Sequence, residues 1–300
     1  MKSITQKIFC TALLLICFSC SQAPVVKKEV SQRSFLWSVN NAKDTLWLLG
    51  SIHLGREELY PLAPNIEKAF AISQELAVEM NIEEDNTAHE VNLLLQKQGV
   101  FPPDSNAAMV LDAQTLEKVD SICESWGLPV GYMHQFRPWL MAVQLSALGV
   151  ETLGLDPHWG IDVHFMRRAQ QRDMPVLALE SAKSQVEVFK DLDQDEEIEY
   201  LQQTLLELDD LENQVDSMLC FWRSGDTLGM EKFVLNSIDS VGDNLKNKIY
   251  TQRNIKMAQQ ISRWIKEKRK VFVVVGAAHF VGPQSILHYL RKENLEVKQH

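Results

Sequence analysis

The 300-residue sequence has no HExxH pair and, beyond its first twenty residues, no CxxC and no Cys/His spacing typical of a structural zinc site, so neither the familiar zinc-protease motif nor a zinc-finger framework applies. Positive charge is in short supply: 30 Lys and Arg stand against 40 Asp and Glu, a formal net charge of −10. Phosphate binding needs a clustered cationic surface, so the reading is of no nucleic-acid partner; the excess of negative charge favours solubility instead. No repeat of solenoid period runs along the chain. With 45% hydrophobic and 23% charged residues, what remains is an ordinary globular composition, long enough for one large domain or two small ones.

Cysteine is also sparse, and three of the five, Cys10, Cys17 and Cys20, fall within the first twenty residues. Lys2 and Lys7 supply a basic start, and residues 8–19 form an apolar stretch too short for a comfortable membrane span. Ser19-Cys20 then resembles the lipobox of bacterial lipoproteins, with Cys17 where such boxes usually carry an aliphatic residue. Residues 1–20 therefore read as a lipoprotein signal with Cys20 as the lipidated residue, the alternative being a plain secretory signal cleaved nearby. Polar residues 21–32 read as a flexible tether, which implies an exported protein anchored to the membrane and facing the periplasm. Cys123 and Cys220 are left for the domain, expected as two buried free thiols.

Residues 33–300 read as a single α/β domain. "TLWLLG" (45–50) has strand length and stops at a glycine, with "FLWSVN" (35–40) as a hairpin partner across "NNAKD". "PNIEKAFAIS" (64–73) has proline at a helix start and helical apolar spacing, and "ELAVEM" (75–80) is again a strand. Strand, helix, strand is a βαβ unit, which builds parallel sheets. A helical insertion is expected over about 84–174, with stops near Gly127, Gly149 and Asp173, before "PVLALE" (175–180) returns to strand. Residues 191–216 predict one amphipathic helix with a solvated acidic face. More helix leads to "VFVVVG" (271–276), apolar enough for a strand covered on both faces, then to a helix and the edge strand "LEVKQ".

Two stretches echo each other: "LLGSIHLG" and "VVGAAHFVG", each a strand followed by Gly-x-x-His, Gly50 to His53 and Gly276 to His279, with Gly282 closing the second. Two more strands end in a carboxylate, Glu79 and Glu180. In open α/β sheets functional groups collect beyond the carboxyl ends of the strands, so these four side chains are candidates for one crevice. The glycines would let the chain turn sharply and leave each histidine at the rim. Alone, either histidine reads first as a hydrogen-bonded strand cap; two imidazoles plus a carboxylate make the donor set of a catalytic metal.

These motifs, with "YPLAPNIEKAF", "RPWLMAVQLS", "GIDVHFMRRAQ" and Arg253-Asn254, resemble the TraB/PrgY/GumN family, whose eukaryotic relatives include the TIKI metalloproteases. The resemblance implies a fold related to the erythromycin esterases and haem-binding ChaN proteins. It implies a metal site at His53, Glu79 and His279, with Glu180, Asp162 and Arg253 as catalytic neighbours, while His164 is expected on a helix surface. The resulting expectation is a metal-dependent hydrolase of a peptide or small-molecule substrate, using a divalent transition metal for which Mn, Co and Zn are all compatible. The alternatives are a non-catalytic protein that sequesters haem, a small ligand or a peptide, and an envelope interaction module that has lost catalysis.

Overall fold

A computed structural model describes residues 33–41, 44–84 and 86–300. The signal and tether expected over 1–32, with Cys20, lie outside the described residues. Six strands form one mixed sheet: β1 (Leu36–Asn41), β2 (Asp44–Ser51), β3 (Glu75–Val78), β4 (Val176–Ala178), β5 (Val271–Gly276) and β6 (Glu296–Gln299), in the order β4-β3-β5-β2-β1-β6. β4, β3, β5 and β2 run parallel; β1 turns back antiparallel to β2, as the hairpin reading predicts, and β6 runs antiparallel to β1 at the edge.

β5 lies at the centre, buried at every residue, which is why its sequence is a run rather than an alternation. It is inserted between β2 and β3, so the two strands of the sequence-level βαβ unit are not neighbours. Their connector, α1 (Pro64–Ile72), sends Phe70 inward. The ring lies 4.8 Å from Phe165 and 5.5 Å from Phe272, an aromatic seam between helix layer and sheet.

Between β3 and β4 the chain forms α2 (Thr87–Gly99), α3 (Ala113–Ser125), α4 (Pro138–Thr152) and α5 (Ile161–Gln170). A second helical run of similar length separates β4 from β5: α6 (Ala182–Val186), α7 (Gln194–Leu208), α8 (Leu211–Ser224), α9 (Thr227–Asp239), α10 (Asp243–Lys246) and α11 (Gln252–Lys266). α12 (Ile286–Lys292) leads to β6. α4 is buried nearly all round and packs against α7, so the two helical runs join in one layer. Among the described residues no helix is long and apolar enough to cross a membrane.

Four local readings need correction. Gly149 does not end α4, which continues to Thr152; its bare backbone admits Leu208 and Leu211, whose side chains would lie under 3.0 Å from an added Cβ. The helix read over 191–216 breaks at Asp209 and Asp210 into α7 and α8. Its acidic face is not wholly solvated: Glu197 and Glu207 are buried, Glu197 bonded to Arg137 and Glu207 to Gln203. Cys220 is exposed rather than buried, while Cys123 is buried as read, and both are free thiols.

Candidate functional site

The parallel strands end side by side, and each carries a functional side chain just past its carboxyl end. After β2 the chain is clamped by the segment before α5: Ile161 N–H donates to Ile52 O at 3.0 Å, and Gly55 and Asp156 exchange backbone bonds of 3.1 and 2.9 Å. Gly160 allows this approach, since a Cβ there would fall 2.3 Å from His53 O. The clamp holds the His53 ring with Nδ1 3.3 Å from Asp162 Oδ1 and Nε2 3.6 Å from Glu79 Oε1. The Nδ1 contact is an ion-pair distance without hydrogen-bond alignment. Asp162 sits in the first turn of α5, where the helix dipole favours its charge, and accepts from Ser51 Oγ at 3.1 Å.

His279 lies in a short turn, Ala277–Phe280, that follows β5, and is 1% exposed. Its Nε2 points at the same oxygen, Glu79 Oε1, at 4.0 Å. Its Nδ1 is 2.6 Å from Asn254 Oδ1, and Asn254 Nδ2 donates to Gln284 O at 2.8 Å. With the amide oriented in this way its Oδ1 can only accept, so His279 carries its hydrogen on Nδ1 and presents the Nε2 lone pair.

Glu79 is the hub. Oε1 accepts from Gly276 N–H at 2.7 Å, and Oε2 accepts from Arg253 Nη2 at 2.6 Å. Arg253 comes from the first turn of α11 and also grips Glu180, through Nε at 2.8 Å and Nη2 at 2.6 Å. Glu180 precedes the N-cap of α6, which belongs to Ser181; its carboxylate turns to Arg253 and Gln185 rather than serving the helix start.

The electrostatics follow from burial and these partners. Burial disfavours the imidazolium of His53, but Asp162 and Glu79 outweigh it and raise the ring to about 10. Burial and the neighbouring guanidinium of Arg253 push His279 down to about 4. For Glu79, burial works against the charged form, yet His53, Arg253 and His279 hold the carboxyl well below the usual range. Arg253 is driven further upward by the two glutamates against its desolvation.

All six side chains singled out from sequence thus converge: His53, Glu79, Asp162, Glu180, Arg253 and His279. His164 turns away to Tyr60, 4.6 Å between ring centroids, and to Arg168. Asn254, Ser51, Gln185 and Gly160 were not assigned roles, although Asn254 adjoins Arg253 in a quoted motif and Ser51 lies inside the first Gly-x-x-His. The motif glycines serve space rather than the expected sharp turn. An added Cβ at Gly50 would lie 2.5 Å from Phe35 Cδ1, and one at Gly276 would lie 3.0 Å from His53 Nε2 and 3.1 Å from Glu79 Oε1. Gly282 alone needs a positive φ, +91°.

The model of the TraB/PrgY/gumN family matches residues 35–299. The chain belongs to this family. Similar relatives include an uncharacterized protein of Treponema pallidum, 23% identical over 96% of this chain and 91% of its own length. The uncharacterized protein YbaP of Escherichia coli is 25% identical over 81% and 87%. More distant is a metalloprotease TIKI homolog of Amphimedon queenslandica, 21% identical over 90% of this chain and 62% of the relative. No solved structure matches.

Whether this family member's site suits a metal can be tested on its geometry. Among the described residues no group of three or more His, Cys, Asp and Glu is arranged to hold an ion as it stands. The chemistry of the donors nevertheless fits one. Donors about 2.1 Å from a zinc-sized ion at tetrahedral angles lie about 3.4 Å apart, against 3.6 and 4.0 Å here. With both imidazoles neutral, three buried carboxylates face one guanidinium, an excess of two negative charges that a divalent cation would balance.

Proposed function

We propose that this chain is a metal-dependent hydrolase of peptide bonds, with His53, His279 and Glu79 as the ligands of a divalent transition metal. The observation that carries this reading is the convergence of two imidazole Nε2 atoms on one carboxylate oxygen inside a buried cluster rich in negative charge. When bound, the metal would supply Lewis acidity and an activated water.

The chain's own groups divide the remaining work. Asn254 holds His279 by its Nδ1, the usual support for a histidine ligand, and Asp162 faces His53 Nδ1 at ion-pair distance. Arg253 is a positioning residue: its Nε and Nη2 are committed to Glu79 and Glu180 and an Nη1 to Ile249 O, so it fixes carboxylates rather than awaiting a substrate anion. Glu180 Oε2 accepts from both Arg253 and Gln185, while Oε1 accepts from Arg253 Nε alone and keeps one acceptor position, which suits it to take a proton during turnover. Glu79 occupies the space between the imidazoles, which favours a small ion over a haem macrocycle.

The lipobox-like Ser19-Cys20 supports export and a lipid anchor, with the domain facing the periplasm. Incorporation of labelled palmitate into the wild-type chain and its loss in Cys20→Ala would bear this out. The test of the main reading is elemental analysis of protein purified without added metal, with casein hydrolysis measured in parallel. One equivalent of metal is expected, with metal and hydrolysis both lost in folded His53→Ala, His279→Ala and Glu79→Ala variants. Hydrolysis that survives in folded His53→Ala would sink the proposal.

A further inference from the structure

β4 is the outermost strand on its side of the sheet. Two backbone bonds fix which way its groups point: Leu76 N–H to Pro175 O at 3.0 Å, and Leu179 N–H to Val78 O at 2.9 Å. In a parallel ladder only alternate residues face the neighbour. Pro175, Leu177 and Leu179 therefore face β3, and Val176 and Ala178 turn their N–H and C=O groups outward. Among the described residues these outward groups have no hydrogen-bond partner, and Ala178 is exposed.

An unpaired row at two-residue spacing is a template for another strand, and proteins ordinarily blunt such edges with charge. The opposite edge does so, since β6 carries Glu296 and Lys298. By contrast β4, "VLA", and the Leu179 that follows carry no charge at all. The edge also leads into the cluster. Two residues beyond Ala178 stands Glu180, paired with Arg253, which in turn holds Glu79.

We propose that the outer edge of β4 is a docking rail for an extended, unfolded polypeptide, which adds as a seventh strand beside Val176 and Ala178 and is thereby led past Glu180 to the His53–Glu79–His279 cluster. The proposal rests on reading that cluster as a peptide hydrolase. Recognition through main-chain groups fits any extended peptide and depends little on its sequence.

Amide hydrogen exchange with β-casein as the unfolded probe tests it. The Val176 and Ala178 amides exchange freely in the protein alone and slow at least tenfold with casein, while the Leu177 amide, already bonded to β3, does not change. Ala178→Pro removes one outward donor without touching the β3 ladder, and extended Leu177 tolerates a following proline. In this variant casein no longer protects Val176, and a still-slow Leu177 amide reports an intact strand. Exchange at Val176 and Ala178 that casein leaves unchanged overturns the rail, even where casein is hydrolysed. Protection without casein that grows with protein concentration also overturns it, because a second copy then fills the edge. Protection by casein without any hydrolysis upholds the rail and removes the hydrolase reading instead.

Discussion

Replacing Gly276 by alanine separates the site's geometry from its stability. The backbone there has φ −47° and ψ 134°, open to any residue, so alanine introduces no backbone strain. By narrowing the unfolded ensemble it stabilises the chain by about 0.4–1 kcal/mol. The new methyl, however, would stand 3.0 Å from His53 Nε2, 3.1 Å from Glu79 Oε1 and 3.7 Å from His279 Cδ2. The first two contacts are too short, so each donor must retreat by a few tenths of an ångström, and the methyl intrudes where the donors converge. Disturbing the support of a metal site typically costs about 10–100-fold in affinity. The expected result is a protein that stays folded, with crowding of the donors offsetting the gain from the narrower unfolded ensemble, and with metal binding weakened at least tenfold, read by chelator-competition titration with Mn²⁺ and Zn²⁺. Gly50→Ala is the control, because it occupies the same motif position in a different setting. Its methyl would meet Phe35 Cδ1 at 2.5 Å and Ala277 Cα at 3.2 Å, overpacking that costs about 1–3 kcal/mol with the donors untouched. Unchanged metal affinity in a folded Gly276→Ala protein would refute the assignment of ligands.

Asn254→Ala leaves His279 Nδ1 without its acceptor and should weaken metal binding about 10–100-fold, whereas Asn254→Asp, which keeps an acceptor there, should recover most of it; equal affinities in the two variants would contradict the positioning role. Arg253→Met strands Glu79 and Glu180 without their cation and should cost about 3–5 kcal/mol at pH 7 by urea unfolding. In the wild type Glu79 is held below its unfolded value of about 4.3, so its stabilisation is present above that pH and is lost as pH falls through the folded value. Without Arg253 the folded value rises instead, so the deficit should shrink between pH 7 and pH 5; a deficit that grows would show the sign to be wrong. Burial and Asp120 push the Cys123 thiol up to about 11, so roughly one molecule in a thousand carries the thiolate at pH 8, while Cys220 is exposed. Iodoacetamide should mark Cys220 and spare Cys123, and equal labelling by peptide mass would mean that the α3 region opens readily.

Most of the site was legible because His53, Glu79, Glu180 and His279 sit just after strands, and strands of apolar runs are easy to find. "VFVVVG" could only be a covered strand, and Gly-x-x-His after two such runs placed both imidazoles at one edge of the sheet. What the sequence concealed depends on contacts between distant segments. Glu197 looks like any other acid on the solvated face of α7, and only the approach of Arg137, sixty residues earlier, makes burial tolerable. Gly149 looks like a helix stop because its reason for being glycine, the approach of Leu208 and Leu211, belongs to other helices. Asn254 was visible beside Arg253, but its role arises from the folding of residues 279 and 284 against α11.

The two motifs also show how little a shared pattern fixes about chemistry. Gly-x-x-His delivers an imidazole past a strand end in both cases, yet the surroundings drive the rings apart, His53 to about 10 and His279 to about 4. The difference lies in the partners of Nδ1, a carboxylate for His53 and a neutral amide for His279, and in the side on which Arg253 stands. His279 is held neutral with its Nε2 lone pair ready, whereas His53 is held protonated, with Nε2 facing Glu79 Oε1 at 3.6 Å. A proton and a divalent cation would therefore compete for the same position between His53 and Glu79, while His279 is available to the cation alone. Ligation at such a site is set by Asp162 and Asn254 as much as by the histidines, and a search that stops at the two motifs finds the ligands without the residues that make them unequal.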